Sequence, residues 1–236
     1  MKYQRLLPMA ALGLIVSAFV AQAAPKPAPP IQIYGPETIA ITAPGNYILM
    51  NEVSTEPIGI NILANNVTLN LNGHSSYGNY GIVIWGNNDY VYNGTAVGPY
   101  NGVIILGSNA LLQNLQILAV EIPLYIEFGG SNLVHGCTLQ AADVGDTAVT
   151  LYLTNHNIIA NNELVGSYQQ VFSEIDQQEP SGIPVTSDNV LDQEATTITA
   201  VTGENTFSGN LFTKQPLPQL NAKAIAQLRQ APKLKN

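Results

Sequence analysis

Gly59-Ile60-Asn61-Ile62-Leu63-Ala64-Asn65-Asn66-Val67-Thr68-Leu69-Asn70-Leu71-Asn72-Gly73 contains two short apolar alternations, each closed by asparagine. An aliphatic returns at every second residue in both halves, which is the period of a strand with one buried face. The same pattern recurs as GIVIWGNNDYVYNG from Gly81, GVIILGSNALLQNL from Gly102, PLYIEFGGSNLVHG from Pro123 and AVTLYLTNHNIIANN from Ala148, with starts 22, 21, 21 and 25 residues apart. Two β-rich runs in a unit of this length make one coil of a parallel β solenoid. A leucine-rich repeat has a similar period but needs a helical arc with its own leucine spacing, and none is visible.

The second and fourth places of the repeat are Ile60/Ile62, Ile82/Ile84, Val103/Ile105, Leu124/Ile126 and Val149/Leu151, ten aliphatics able to stack into one core. Alternation sends the third and fifth places outward. Asparagine marks the corners: Asn66, Asn88, Asn109, Asn132 and Asn155 after the first strand, and Asn72, Asn93, Asn114 and Asn161 after the second, with His135 in the asparagine's place in the fourth coil. Asn tolerates left-handed geometry, and its amide can bond turn backbone and neighbouring coils, so the reading is a structural asparagine ladder.

At these residues the chain resembles the pectate-lyase-like right-handed parallel β-helix superfamily, particularly its bacterial exported repeat proteins. The resemblance covers roughly residues 39–212. Its best fragments are Pro44-Gly45-Asn46-Tyr47-Ile48-Leu49, the coil Asn66 to His74, and Asn205-Thr206-Phe207-Ser208-Gly209-Asn210. It implies an all-β fold, a single-stranded right-handed parallel β-helix of about five to seven coils. Such motifs specify fold well and function poorly.

Outside the repeats, Lys2 and Arg5 precede an apolar run from Leu6 to Val20 and the small residues Ala21-Gln22-Ala23-Ala24, the pattern of a secretory signal over 1–24. This places the protein outside the cytoplasm, secreted or periplasmic. Residues 25–38 read as a Pro-rich leader, 39–213 as the β-helix, and 214–236 as a basic tail behind the Pro216 to Pro218 linker. Regularity breaks after Gly166, so the polar stretch 167–181 reads as an inserted loop. A sixth coil beginning at Gly182 is completed near Asn205 to Phe212. Cys137 is the single cysteine, which excludes an internal disulfide and leaves stability to packing and backbone pairing.

From Pro25 to Thr213 there are sixteen carboxylates and one basic residue, Lys26, a balance of −15. Phosphate contacts rest on Lys and Arg, so nucleic acid is excluded as a ligand of this body. The tail reverses the sign with Lys214, Lys223, Arg229, Lys233 and Lys235, and suits docking in cis, an anionic surface or a solubilising end. No further apolar stretch is long enough for a transmembrane segment in the mature chain.

The resemblance to lyases implies arginine or lysine beside the substrate, and none lies between Lys26 and Lys214. Beta-elimination therefore lacks both its base and its cation. The galacturonase branch implies aspartate clusters and an Arg/Lys pair that are also missing, with Gly73-His74-Ser75 only a partial echo. Glycoside hydrolysis needs just two suitably spaced acids. Glu127, Asp143 and Asp146 are the candidates, with Glu121 nearby. Asp143 and Asp146 also offer two oxygen ligands for calcium, without an EF-hand or repeated calcium motif. His135 and His156 occupy different repeat positions and do not suggest zinc.

The outward places carry a different chemistry. The fifth reads Leu63, Trp85, Leu106, Glu127, Tyr152; the third reads Asn61, Val83, Ile104, Tyr125, Thr150; Tyr80 and Tyr100 precede two coils. Sugar rings lie on aromatic faces while carboxylate and amide groups bond hydroxyls. The expectation is a non-catalytic exported β-helix that binds a polysaccharide or a cell-envelope or extracellular surface through Trp85, Tyr125, Glu127, Tyr152, Tyr80 and Tyr100. A glycan-cleaving hydrolase, and a structural or adhesive solenoid self-associating through its apolar sheet face, are the alternatives.

Overall fold

The computed structural model describes residues 28–141, 148–165, 171–174, 198–199 and 205–213, and every regular element among them is a β-strand. The chain lays down β1 (Ile31–Ile33), then a coil of β2 (Ile39–Ile41), β3 (Gly45–Leu49) and β4 (Val53–Ser54). The next is β5 (Ile58–Ile62), β6 (Val67–Asn70) and β7 (Ser75–Tyr77). Two coils then fuse their second and third strands: β8 (Tyr80–Ile84) with β9 (Tyr90–Gly98), and β10 (Asn101–Ile105) with β11 (Leu111–Ala119). The three-strand form returns in β12 (Ile122–Glu127), β13 (Leu133–His135) and β14 (Thr138–Ala141), then in β15 (Val149–Tyr152), β16 (Ile158–Ala160) and β17 (Glu163–Val165). Further described strands are β18 (Val171–Glu174), β19 (Ile198–Thr199), β20 (Thr206–Ser208) and β21 (Leu211–Thr213).

Strands of successive coils pair in parallel. The first sheet stacks β2, β5, β8, β10, β12, β15, β18 and β19 in that order. The second runs β1, β3, β6, β9, β11, β13, β16, β20 and bends through β9 and β11 onto a third flank of β4, β7, β14, β17 and β21. This is a parallel β-solenoid of about five regular turns with partial turns at its ends. The register confirms the repeat, for Ile60, Ile82, Val103, Leu124 and Val149 align, as do Ile62, Ile84, Ile105, Ile126 and Leu151. All ten are buried in one core with Leu69, Val91, Leu112, Val134 and Ile159 from the second sheet. Each such side chain contributes about 1.5–3 kcal/mol relative to exposure.

Two boundaries differ from the sequence reading. Ile31-Gln32-Ile33, inside the stretch assigned to the leader, pairs with Tyr47-Ile48-Leu49 as an extra first rung. A strand edge offers open N–H and C=O groups, and the Ile-x-Ile alternation suits it. Val171–Glu174, inside 167–181, pairs with Val149–Tyr152 and continues the first sheet. Its spacing of 22 from Val149 is one ordinary coil. Ile198–Thr199 then pairs with Val171–Phe172 as the next rung of that sheet. β20 and β21 pair with β16 and β17, completing a coil at 206–213. The start of a coil at Gly182 lies outside the described residues.

The corners also hold a correction. Positive φ falls on Asn66, Asn88 and Asn109, but then on Ser131 (59°) and His156 (56°), not on Asn132 and Asn155. At the second corner Gly136 (63°), not His135, takes the place of Asn114 (52°) and Asn161 (54°). The cause is an added residue. The step from the last inward aliphatic of the first strand to the inward one of the second is seven residues in Ile62–Leu69, Ile84–Val91 and Ile105–Leu112, and eight in Ile126–Val134 and Leu151–Ile159.

Candidate functional site

The corners contain two kinds of ladder. On the outside, the Asn87 N–H donates to Asn65 Oδ1 (2.8 Å), the Ser108 N–H to Asn87 Oδ1 (2.8 Å) and the Gly130 N–H to Ser108 Oγ (3.1 Å). On the inside the direction reverses. The Val67 N–H donates to Asp89 Oδ1 (2.8 Å), Ala110 to Asn132 Oδ1 (2.8 Å), Asn132 to Asn157 Oδ1 (3.0 Å) and Asn157 to Asn205 Oδ1 (2.9 Å). A second inner ladder joins the Cys137 N–H to Asn162 Oδ1 (2.8 Å) and the Asn162 N–H to Asn210 Oδ1 (2.9 Å). Buried N–H groups at the corners have no ladder strand to pair with, and these side chains supply the acceptors.

Beside the inner ladder, Gly86, Gly107 and Gly129 stack directly. A Cβ on Gly107 would overlap the Gly86 carbonyl oxygen, and one on Gly129 the Gly107 carbonyl oxygen. Only a residue without a side chain allows that approach. In the coils of β12 and β15 the added residue emerges here. It is Phe128 (φ 59°) in one and Leu153 (φ 48°) in the other, both left-handed and 65% and 47% exposed. The Gly129 N–H reaches back to the Glu127 carbonyl (2.7 Å), closing a three-residue turn that pushes Phe128 outward.

This outcrop meets the fifth-place column. Trp85 is 53% exposed, and the Phe128 ring sits edge-on to Tyr152 with centroids 6.2 Å apart and planes at 70°. Glu127 is half-buried and paired in register with Tyr152. Trp85, Glu127 and Tyr152 therefore share the trailing edge of the first sheet, with Leu63, Phe128 and Leu153 exposed beside them. Tyr80 and Tyr100 pack against each other (5.7 Å, 46°) at the opposite, leading edge, about 16 Å away along a five-residue strand. Tyr125 lies between, half-buried at the third place. Five of the six expected residues thus form two groups with Tyr125 between them, and the aromatic missing from the expectation is Phe128.

The third place is not an open row, since Val83 and Thr150 are buried. Small side chains between larger ones lose their exposure on a sheet whose rungs lie about 4.8 Å apart. Asp143 and Asp146 lie outside the described residues, so their distance to Glu127 is not defined. Among the described residues, no three His, Cys, Asp or Glu side chains come together, and no helix is long and apolar enough to cross a membrane. Cys137 is buried, its S–H donating to the His135 carbonyl (3.5 Å), and burial pushes its thiol up to about 11. Such a thiol is a packing residue. Comparison with protein families, curated proteins and solved structures finds no match to the chain.

Proposed function

We propose that this is an exported, non-catalytic solenoid of the pectate-lyase-like type that binds a polysaccharide, or a glycan-bearing envelope or extracellular surface, at the trailing edge of its first sheet. The carrying observation is the aromatic set of exposed Trp85 and Phe128 with half-buried Tyr152, beside Glu127. Exposed rings of this size on a regular sheet offer stacking faces, and a neighbouring carboxylate accepts hydroxyl donors. The body from 27 to 213 contains no lysine or arginine, so the cation that an acidic polymer would call for is missing there. Neutral glycans fit this charge best. Export rests on the signal pattern of residues 1–24.

The test is a glycan array followed by titration of the strongest hit with the parent, Trp85→Ala and Tyr152→Ala. Each substitution should weaken binding about tenfold, the worth of one ring contact of roughly 1.4 kcal/mol. Binding that survives both unchanged removes the site. Release of new reducing ends from a bound polysaccharide would replace binding by hydrolysis.

A further inference from the structure

We propose that Asp89 is held as a neutral carboxylic acid in the folded solenoid under mildly acidic conditions and is ionised at neutral pH, so that mild acid tightens the coil and neutral pH loosens it. Asp89 precedes Tyr90, which aligns through Leu111, Leu133, Ile158 and Thr206 across successive coils. The residues before those are Ala110, Asn132, Asn157 and Asn205, so Asp89 stands in a column where every other polar side chain of the later coils is an asparagine amide. It is 1% exposed, and its Oδ1 accepts the Val67 N–H (2.8 Å) as the asparagines' Oδ1 atoms do.

The other oxygen breaks the pattern. In the later coils the second amide atom is a donor: Asn132 Nδ2 reaches the Gly107 carbonyl (3.4 Å), Asn157 Nδ2 the Thr154 hydroxyl (2.8 Å) and Asn205 Nδ2 the Thr154 carbonyl (3.2 Å). Asp89 Oδ2 is buried with no hydrogen-bond partner. It lies close to Gly86, where a Cβ would collide with both Asp89 Oδ2 and the Ala64 carbonyl oxygen. An ionised carboxylate is an acceptor facing an acceptor there, whereas a proton on Oδ2 makes it the donor that the column uses elsewhere.

Among the described residues, nothing charged stands near enough to do the proton's work. The elements packed around Asp89 are β5, β6, β8, β10, β11 and the corners 63–66, 85–88 and 106–110. The ionisable side chains in them and in β9 are Tyr80, Tyr90 and Tyr92. No lysine or arginine occurs between Lys26 and Lys214, and His74, His135 and His156 sit at the other corner or in later coils. Burial accordingly pushes the carboxyl up from 3.8 to about 6, with the Val67 N–H pulling it back.

A folded-state value above the unfolded one gives stability that is complete below about 3.8 and lost as pH rises through about 6. The contribution corresponds to roughly a hundredfold change in the unfolding equilibrium constant between pH 4 and pH 7. The experiment compares denaturant unfolding of the parent and Asp89→Asn across that range. The other fifteen carboxylates are common to both, so the difference isolates this one. Asp89→Asn should be up to a hundredfold more stable at pH 7 and close to the parent at pH 4. Carbon-13 NMR titration of the Asp89 carboxyl in the parent should give a midpoint near 6, and stands even if the variant folds poorly. Parallel pH profiles, a variant weaker at pH 7, or a midpoint near 4 would overturn the proposal.

Discussion

Replacing Asn157 by alanine tests the inner ladder where its connections are densest. Asn157 is fully buried; its Oδ1 accepts the Asn132 N–H, while its Nδ2 donates to Thr154 Oγ1 (2.8 Å) and Asn205 Oδ1 (2.9 Å). The substitution leaves a buried backbone donor unsatisfied, at about 1–3 kcal/mol, removes the bond to the threonine hydroxyl, at about 1 kcal/mol, and opens a small cavity. The expected loss is about 2–5 kcal/mol. Urea unfolding followed by far-ultraviolet circular dichroism would show it as a lower midpoint at unchanged slope. Asn87→Ala is the control, since that exposed Oδ1 accepts the Ser108 N–H and water can replace it, for a loss below about 1 kcal/mol. Similar small losses in both variants would refute the claim that the inner ladder carries stability and the outer one mainly shape.

Other outcomes follow from single positions. Gly107→Ala puts a methyl against the Gly86 and Trp85 carbonyls, which are backbone and cannot swing aside, so unfolding measurements should show a loss above about 3 kcal/mol. Phe128→Gly relieves left-handed strain of about 1 kcal/mol and adds a similar unfolded-state cost; thermal unfolding should stay near the parent while glycan binding weakens. A large stability loss there would mean the ring packs rather than presents. Cys137 should resist a thiol reagent in the native protein and react on unfolding, and rapid native labelling would contradict its burial and raised thiol.

The core was legible because its signal is periodic. Ten aliphatics at fixed places can align in one way only, and the structure aligns them so. The corners were legible in kind but not in register. Asparagine serves both as a left-handed corner residue, as at Asn109, and as a buried acceptor, as at Asn132, and composition does not separate the two roles. Counting residues between inward aliphatics does, since the step from seven to eight announces Phe128 and Leu153. Exposure of Trp85 followed from alternation. The burial of Val83 and Thr150 on the same face did not, because it depends on the sizes of neighbours in adjacent rungs. Asp89 reads in the sequence as one more polar corner residue, for only the column of amides beside it makes a carboxyl conspicuous.

The inner ladder has a direction that bears on how the molecule is made. Each corner N–H in it finds its acceptor on a later coil: Val67 on Asp89, Ala110 on Asn132, Asn132 on Asn157, Asn157 on Asn205. A chain synthesised from its N-terminus therefore holds an open donor at its growing end until the next turn emerges to close it. The last of these closures spans 48 residues, from Asn157 to Asn205, about twice the 22 from Val67 to Asp89, so that corner waits longer for its partner than those before it.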